Sequence, residues 1–308
     1  MNFDPKSIII GAAAGLAAAL LAVSASNPNP LSLLLLFVTP MPVLLAGLGW
    51  GPIAGAASVI AGFGVIAGLG QPLLAAVCAL TMTIPAAAMA HFASLGQSDG
   101  AGGTHWYPLS GVLVRAVALV SAGFMMAGLL IGYNQDFVTQ FVDEIAKQAA
   151  AANPGMVIDQ QGKARFAAIL SGLMPYAQPA TWFIFLIGNF YAALFIARRS
   201  GLLLRSRDFW PSALRLPRLA APAFAVAMAL SFLPAGLGNL AAVAAGTLFI
   251  ALCAVGLALL HKTTLGKPWR FPALWATYLA IIVVSLPLIP LFVAGLFSTA
   301  RSEPESTI

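Results

Sequence analysis

An all-α bundle of membrane-spanning helices is the fold class this sequence predicts, and three observations carry that reading. Of 308 residues, 60% are hydrophobic and 8% charged, where a soluble domain carries about 25% charged residues. The apolar residues fall in runs of about 20, the length at which a helix spans roughly 30 Å of hydrocarbon while bonding its own backbone. None of the nine acidic residues, Asp4, Asp99, Asp136, Asp143, Glu144, Asp159, Asp208, Glu303 and Glu305, lies inside such a run. A single integral membrane domain over residues 1–308 follows, rather than two soluble ones.

The runs place nine helices, near 8–25, 31–49, 52–70, 72–95, 108–133, 174–197, 219–235, 238–260 and 271–296. The first follows the charge-poor MNFDPK, which lacks the basic start of a signal peptide, and is expected to stay as a helix. Gly51-Pro52 divides the second from the third, Gly70-Gln71-Pro72 the third from the fourth, and Pro234 through Gly238 the seventh from the eighth. Eight crossings is the alternative, with the Gly-rich third run short, tilted or partly re-entrant.

Between the fifth and sixth helices lies a polar insertion, 134–165. Its DFVTQFVDEIAKQAA puts Phe137, Val138, Phe141, Val142 and Ile145 on one helical face and Gln140, Asp143, Glu144, Lys147 and Gln148 on the other. It predicts an amphipathic helix at the extracytoplasmic surface, either resting on the interface or on neighbouring helices or serving as a lid over a cavity open to that side.

Charge fixes the expected orientation. With the N-terminus cytoplasmic, the inner side holds Lys6, Arg198, Arg199, Arg205, Arg207, Arg215, Arg218, Lys262, Lys267 and Arg270. The outer side holds Lys147, Lys163, Arg165 and Arg301. Basic loops concentrate inside, and Trp50, Trp106, Tyr107, Trp182 and Trp269 near helix ends suit the headgroup zone. The net charge of +6 therefore reflects membrane topology, and nucleic acid is excluded as a partner. Nine crossings would put the tail from Ser298 outside.

Polar groups at membrane depth are the candidate solute-binding or cavity residues. Arg115 follows Pro108 by seven residues, about 10 Å along the helix, where a charge costs roughly 2.5–3.5 kcal/mol at mid-bilayer. It either snorkels to the interface or meets carbonyls or an anionic ligand. Thr81, Thr83, Gln178 and Asn189 either line a cavity for an uncharged solute or bond helix to helix, at about 0.6 kcal/mol each. Prolines such as Pro40, Pro85, Pro175 and Pro179 break helices in ways that suit a cavity. In the first helix Gly11, Ala14, Gly15 and Ala18 form a small-residue face for close contact, within the chain or with a partner.

Enzyme signatures are lacking. There is no phosphate loop, G-x-S-x-G or HExxH, so no catalytic residue and no cofactor is expected. His91, His105 and His261 stand singly and Cys78 and Cys253 lie apart in apolar runs, so no metal is expected either.

The first helix GAAAGLAAALL, the run PMPVLLAGLGWGPIAG at 40–55, and the stretch from LRLPRLAAP at 214–222 through GLGNLAAV to VGLALLH at 255–261 together resemble a known family. It is the family of predicted bacterial integral membrane proteins grouped as domain of unknown function 2232, similar in fold to the substrate-binding components of energy-coupling-factor vitamin importers. The resemblance implies a bacterial inner-membrane location. It also implies that the face of Gly11, Ala14, Gly15 and Ala18 docks a coupling subunit, with ATPase subunits supplying the energy. The expectation is a non-enzymatic component for binding or uptake of a small solute; the alternative is a membrane assembly protein that organises partners and carries no solute.

Overall fold

The structure, a computed structural model, describes residues 4–26, 30–100, 103–131, 135–153, 159–203 and 205–300. Helix α1 (Pro5–Val23) begins behind Asp4, whose carboxylate accepts the Lys6 N–H at 3.0 Å. Pro5 stands in the first turn, where its missing N–H has no helical partner to lose. Helices α2 (Pro30–Val38) and α3 (Pro40–Gly68) are separated at Thr39, because Pro40 has no N–H with which to continue the ladder.

Inside α3, Gly51 has φ 85° and ψ −176°, a conformation open to glycine and closed to most other residues. The chain doubles back there. A Cβ on Gly55 would lie 3.5 Å from the Gly47 Cα, whereas eight residues of continuous helix cover about 12 Å. The limbs before and after Gly51 therefore lie side by side, as the Gly51-Pro52 turn predicts.

Helix α4 (Pro72–Cys78), a π-helical turn Ala79–Thr83 and α5 (Ile84–Ala93) then run in series back along the second limb. Strands β1 (Gly96–Ser98) and β2 (Thr104–Trp106) pair antiparallel, Gly96 opposite Trp106. After them come α6 (Leu109–Ile131), the amphipathic α7 (Gln135–Ala152), the 40-residue α8 (Gln160–Arg199) and the short α9 (Trp210–Ala213). Helices α10 (Ala220–Leu230), α11 (Ala235–Thr263), α12 (Arg270–Val284) and α13 (Leu288–Ala300) complete the chain.

Six stretches among the described residues are long and apolar enough to cross a membrane: Pro5–Val23, Leu31–Gly68, Pro72–Ala93, Leu109–Ile131, Gln160–Arg199 and Gly236–Thr263. The chain is an all-α, multi-pass membrane bundle, but nine separate spans do not appear. Leu31–Gly68 contains two expected spans as the two limbs of one folded stretch. The run at 219–235 yields only the 11 residues of α10. The run at 271–296 yields α12 and α13, bent by 119°. A hydropathy run counts apolar residues and is blind to a change of direction within them.

Contacts define two ends of the bundle. The Ser7 hydroxyl donates to the Trp50 carbonyl at 3.2 Å, and Arg205 reaches the carbonyls of Ala93 and Tyr107. These bonds gather the start of α1, the Gly51 turn, the end of α5 and the loop after α8 at one end, the arginine-rich end. The end of α11 joins them, since Lys262 shares a cleft with Pro211 and Arg215. At the far end the Tyr176 hydroxyl donates to Ser231 Oγ at 2.8 Å, and Lys163 pairs with Asp143 of α7 at 2.9 Å.

Helix α13 does not carry the chain to the far end. Leu288 lies beside Cys253, whose thiol donates to its carbonyl at 3.4 Å, and Ser298 lines the cleft of Lys262 and Arg215. So α13 returns along the last turns of α11, and α12 and α13 form a bent pair with its corner at Ser285, where φ is 55°. Ser298 thus lies at the arginine-rich end of the bundle; residues 301–308 of the tail lie outside the described residues.

The interior is built from Leu44, Met89, Val112, Leu113, Phe183, Phe190 and Leu252, each under 2% exposed. Lipid is as apolar as leucine, so such helices hold together through close packing and hydrogen bonds. Gly15 shows this directly: a Cβ there would stand 2.8 Å from the Gly62 nitrogen. The face of Gly11, Ala14, Gly15 and Ala18 is thus occupied within the chain, with Gly11, Gly15 and Ala18 buried and the two glycines seated on α3. Of the two contacts that small face allows, within the chain or with a partner, the glycines make the one within the chain.

Candidate functional site

Between α1, α4, α6 and α8, in the half of the bundle toward the far end, lies a cavity of about 450 Å³, within the roughly 300–1,000 Å³ of small-molecule sites. Leu74, Val77, Met82, Phe124, Ile131 and Trp182 make most of its wall hydrocarbon. Its polar groups are Thr81 and Gln178, with the Trp182 indole and the Cys78 thiol beside them. No acidic or basic side chain lines it.

The wall carrying Thr81 is irregular for a definable reason. Pro85 has no N–H, and ahead of it the helix widens into the π-helical turn, in which the Ile84 N–H donates to Ala79, five residues back. Such turns frequently mark functional sites. The α-helical partner of the Leu80 carbonyl is that Ile84 N–H, so the Leu80 oxygen loses it and turns to α6. There Gly123 meets it so closely that a Cβ would overlap the carbonyl. The Thr81 hydroxyl donates to Val77 O at 2.8 Å, leaving its lone pairs for a guest. Gln178 is half-buried and makes no hydrogen bond to a described residue.

Of the sequence candidates, Thr81 and Gln178 meet in this cavity, and the other three stand elsewhere. Thr83 is buried in a separate gap of about 10 Å³ shared with Thr39. Asn189 repairs a break: its Nδ2 donates to Phe37 O at 2.8 Å and to Phe185 O at 2.7 Å. Phe37 lies just before the interruption at Pro40, so the amide ties α8 to the broken end of α2. Its Oδ1 is buried without a partner.

Arg115 turns toward the arginine-rich end, away from the cavity. It donates to the Tyr107 hydroxyl and to Gly111 O, the latter at 3.3 Å, and its guanidinium carbon sits 4.7 Å from the Phe92 ring centroid and 4.8 Å from that of Tyr107. Aromatic faces attract a cation through their quadrupole. That arrangement replaces part of the hydration Arg115 would otherwise seek.

Helix α7 is amphipathic as expected, and it rests on a neighbouring helix, α8. Val138, Val142 and Ala146 are buried while Phe141 stays 42% exposed, and Asp143 pairs with Lys163 of α8. None of its described side chains lines the cavity, so of the two readings the structure supports a helix packed beside α8 rather than a lid. The side chains of Gln135, Asp136 and Phe137 lie outside the described set.

Sequence reading missed Arg205. It is 2% exposed and fully engaged, with Asp208 through two nitrogens and with Ala93 O and Tyr107 O through a third. The available signal was Asp208 itself, the one carboxylate in an arginine-rich loop. A scan against protein-family models, a search of curated proteins and a search of solved structures each return no match.

Proposed function

We propose that this protein is a membrane-embedded, non-enzymatic binder of a small, uncharged and mainly apolar solute, held in the cavity between α1, α4, α6 and α8 and taken up with the help of partner subunits. The supporting observation is the joining of Thr81 and Gln178, from different helices, on one otherwise hydrocarbon wall with no charge. A few placed polar groups in an apolar concavity are how such sites orient a ligand. The absence of acidic and basic side chains from its wall disfavours an anion or cation as the guest, because a desolvated charge there would lack a partner. No nucleotide-binding loop is present in the sequence, so energy for uptake would come from an ATPase on another chain.

We further propose eight crossings, with the two limbs of Leu31–Gly68 counted separately and the short α10 with its flanking residues carrying the chain from the arginine-rich end to the far end, and with both described helix ends, Pro5 and Ala300, on the cytoplasmic face of a bacterial inner membrane. Ten basic residues belong to the arginine-rich end and three described ones to the far end, which is the distribution that the positive-inside bias favours.

The test is extraction. Wild-type protein and Ala127→Phe, which fills the cavity, are purified from the native membrane and their organic extracts compared by mass spectrometry. A neutral compound present with wild type and lost with Ala127→Phe is expected; identical extracts from two folded proteins would sink the solute reading. Recovery of ATPase subunits from the same membranes is expected for uptake, and their absence would leave binding without transport.

A further inference from the structure

The arginine-rich end holds a second concavity, unrelated to the solute cavity. It is a cleft of about 190 Å³ between α9, the loop after it, α11 and α13, lined by Pro211, Leu214, Arg215, Val255, Leu259, Lys262 and Ser298. Its chemistry is divided. Val255, Leu259 and Leu214 form an apolar floor, whereas Arg215 and Lys262 are exposed cations at its mouth.

Neither cation pairs with an acidic side chain among the described residues. Arg215 spends its Nε on the Ser212 carbonyl at 3.1 Å, and its two terminal nitrogens make no hydrogen bond to a described residue. The ion pairs among the described residues are Lys147 with Glu144, Lys163 with Asp143, and Arg205 with Asp208. The single acidic residue of the loop, Asp208, is thus consumed by Arg205. Two unpaired cations converging on one cleft favour an anion there, and a guanidinium edge beside an ammonium suits phosphate oxygens.

We propose that this cleft binds the headgroup phosphate of an anionic phospholipid. The apolar floor selects a lipid over a free phosphate. Leu214, Val255 and Leu259 would exclude water around an inorganic ion without offering it a donor, but they continue naturally into a glycerol backbone and acyl chain. The end at which the cleft opens also has the charge that an anionic leaflet attracts. Helix α13 supplies one wall through Ser298, so a lipid bound here fastens α13 to α9 and the loop after it.

The experiment uses the full-length protein in detergent. Native mass spectrometry counts bound phosphatidylglycerol and phosphatidylcholine, with inorganic phosphate as competitor, and acylation of Lys262 and Lys267 is followed in parallel. Phosphatidylglycerol is expected to bind more tightly than phosphatidylcholine, to protect Lys262 but not Lys267 from acylation, and to resist displacement by phosphate. Arg215→Gln with Lys262→Gln is expected to weaken binding roughly fivefold per cation and about thirtyfold together. Lys147→Gln with Arg165→Gln, the same charge change at the far end, leaves it unchanged. Equal binding of the two lipids, displacement by phosphate, or loss with the far-end variant would each overturn the proposal. Should the cleft variant fail to fold, the lipid selectivity and the Lys262 protection of the wild-type protein decide alone.

Discussion

Arg205 and Asp208 meet through two parallel hydrogen bonds, Nε to Oδ2 at 2.7 Å and Nη2 to Oδ1 at 2.8 Å, with the arginine side chain 2% exposed. The remaining terminal nitrogen donates to Ala93 O at 3.1 Å and Tyr107 O at 2.7 Å. One side chain therefore locks the loop after α8 to the end of α5 and the start of α6. Breaking a buried pair from one side strands a charge, at about 3–5 kcal/mol. Asp208→Asn should lose stability on that scale in a denaturation curve measured in detergent. Arg205→Lys should not restore it, because an ammonium cannot supply the planar fork. Wild-type stability in either variant would show the pair to be dispensable.

Gly123 and the Leu80 carbonyl are in contact at the π-helical turn. Gly123→Ala forces a methyl group into that oxygen and should cost about 1–3 kcal/mol, as overpacking does. Gly188→Ala, with open space around it, should be neutral or gain up to about 1 kcal/mol. Thermal unfolding of the two variants side by side checks the contrast, and equal melting points would refute it.

Gln178 and Thr81 should contribute unequally to solute binding. Gln178→Leu removes an amide with no other described partner and should weaken binding of the co-purified compound roughly twofold to tenfold. Thr81→Val removes a hydroxyl whose proton already serves Val77, so its effect should be smaller. Equilibrium binding of the extracted compound to each variant measures the order; a larger loss for Thr81→Val would reverse the assignment.

Reporter fusions after Ala150, Arg207 and Ala300 test the path of the chain. Arg207 and Ala300 should report the cytoplasm and Ala150 the opposite side. An Ala300 reporter on the side of Ala150 would mean that the α12–α13 pair crosses.

Much of this was legible in the residues, and the failures have a common origin. The Gly51-Pro52 turn, the amphipathic α7 and the small-residue face of α1 were each visible as local patterns, because backbone freedom, periodicity and side-chain size are local properties. The partner of each pattern was not. Gly11 and Gly15 could have packed on another protein, and only the fold brings the helix after Gly51 alongside them. Arg115 and Asn189 were visible as polar groups at depth. Their engagement by Tyr107 and by the carbonyl of Phe37 depends on residues that the fold alone brings within reach.

The bent α12–α13 pair has an architectural consequence. On the eight-crossing path proposed above, α13 comes back to the end where α1 begins, so a second copy joined to the first in one polypeptide through a hydrophilic linker would need no added span and no inversion. Such a tandem should insert with both copies the same way up. A chain with an odd number of traversals would have to flip every alternate copy.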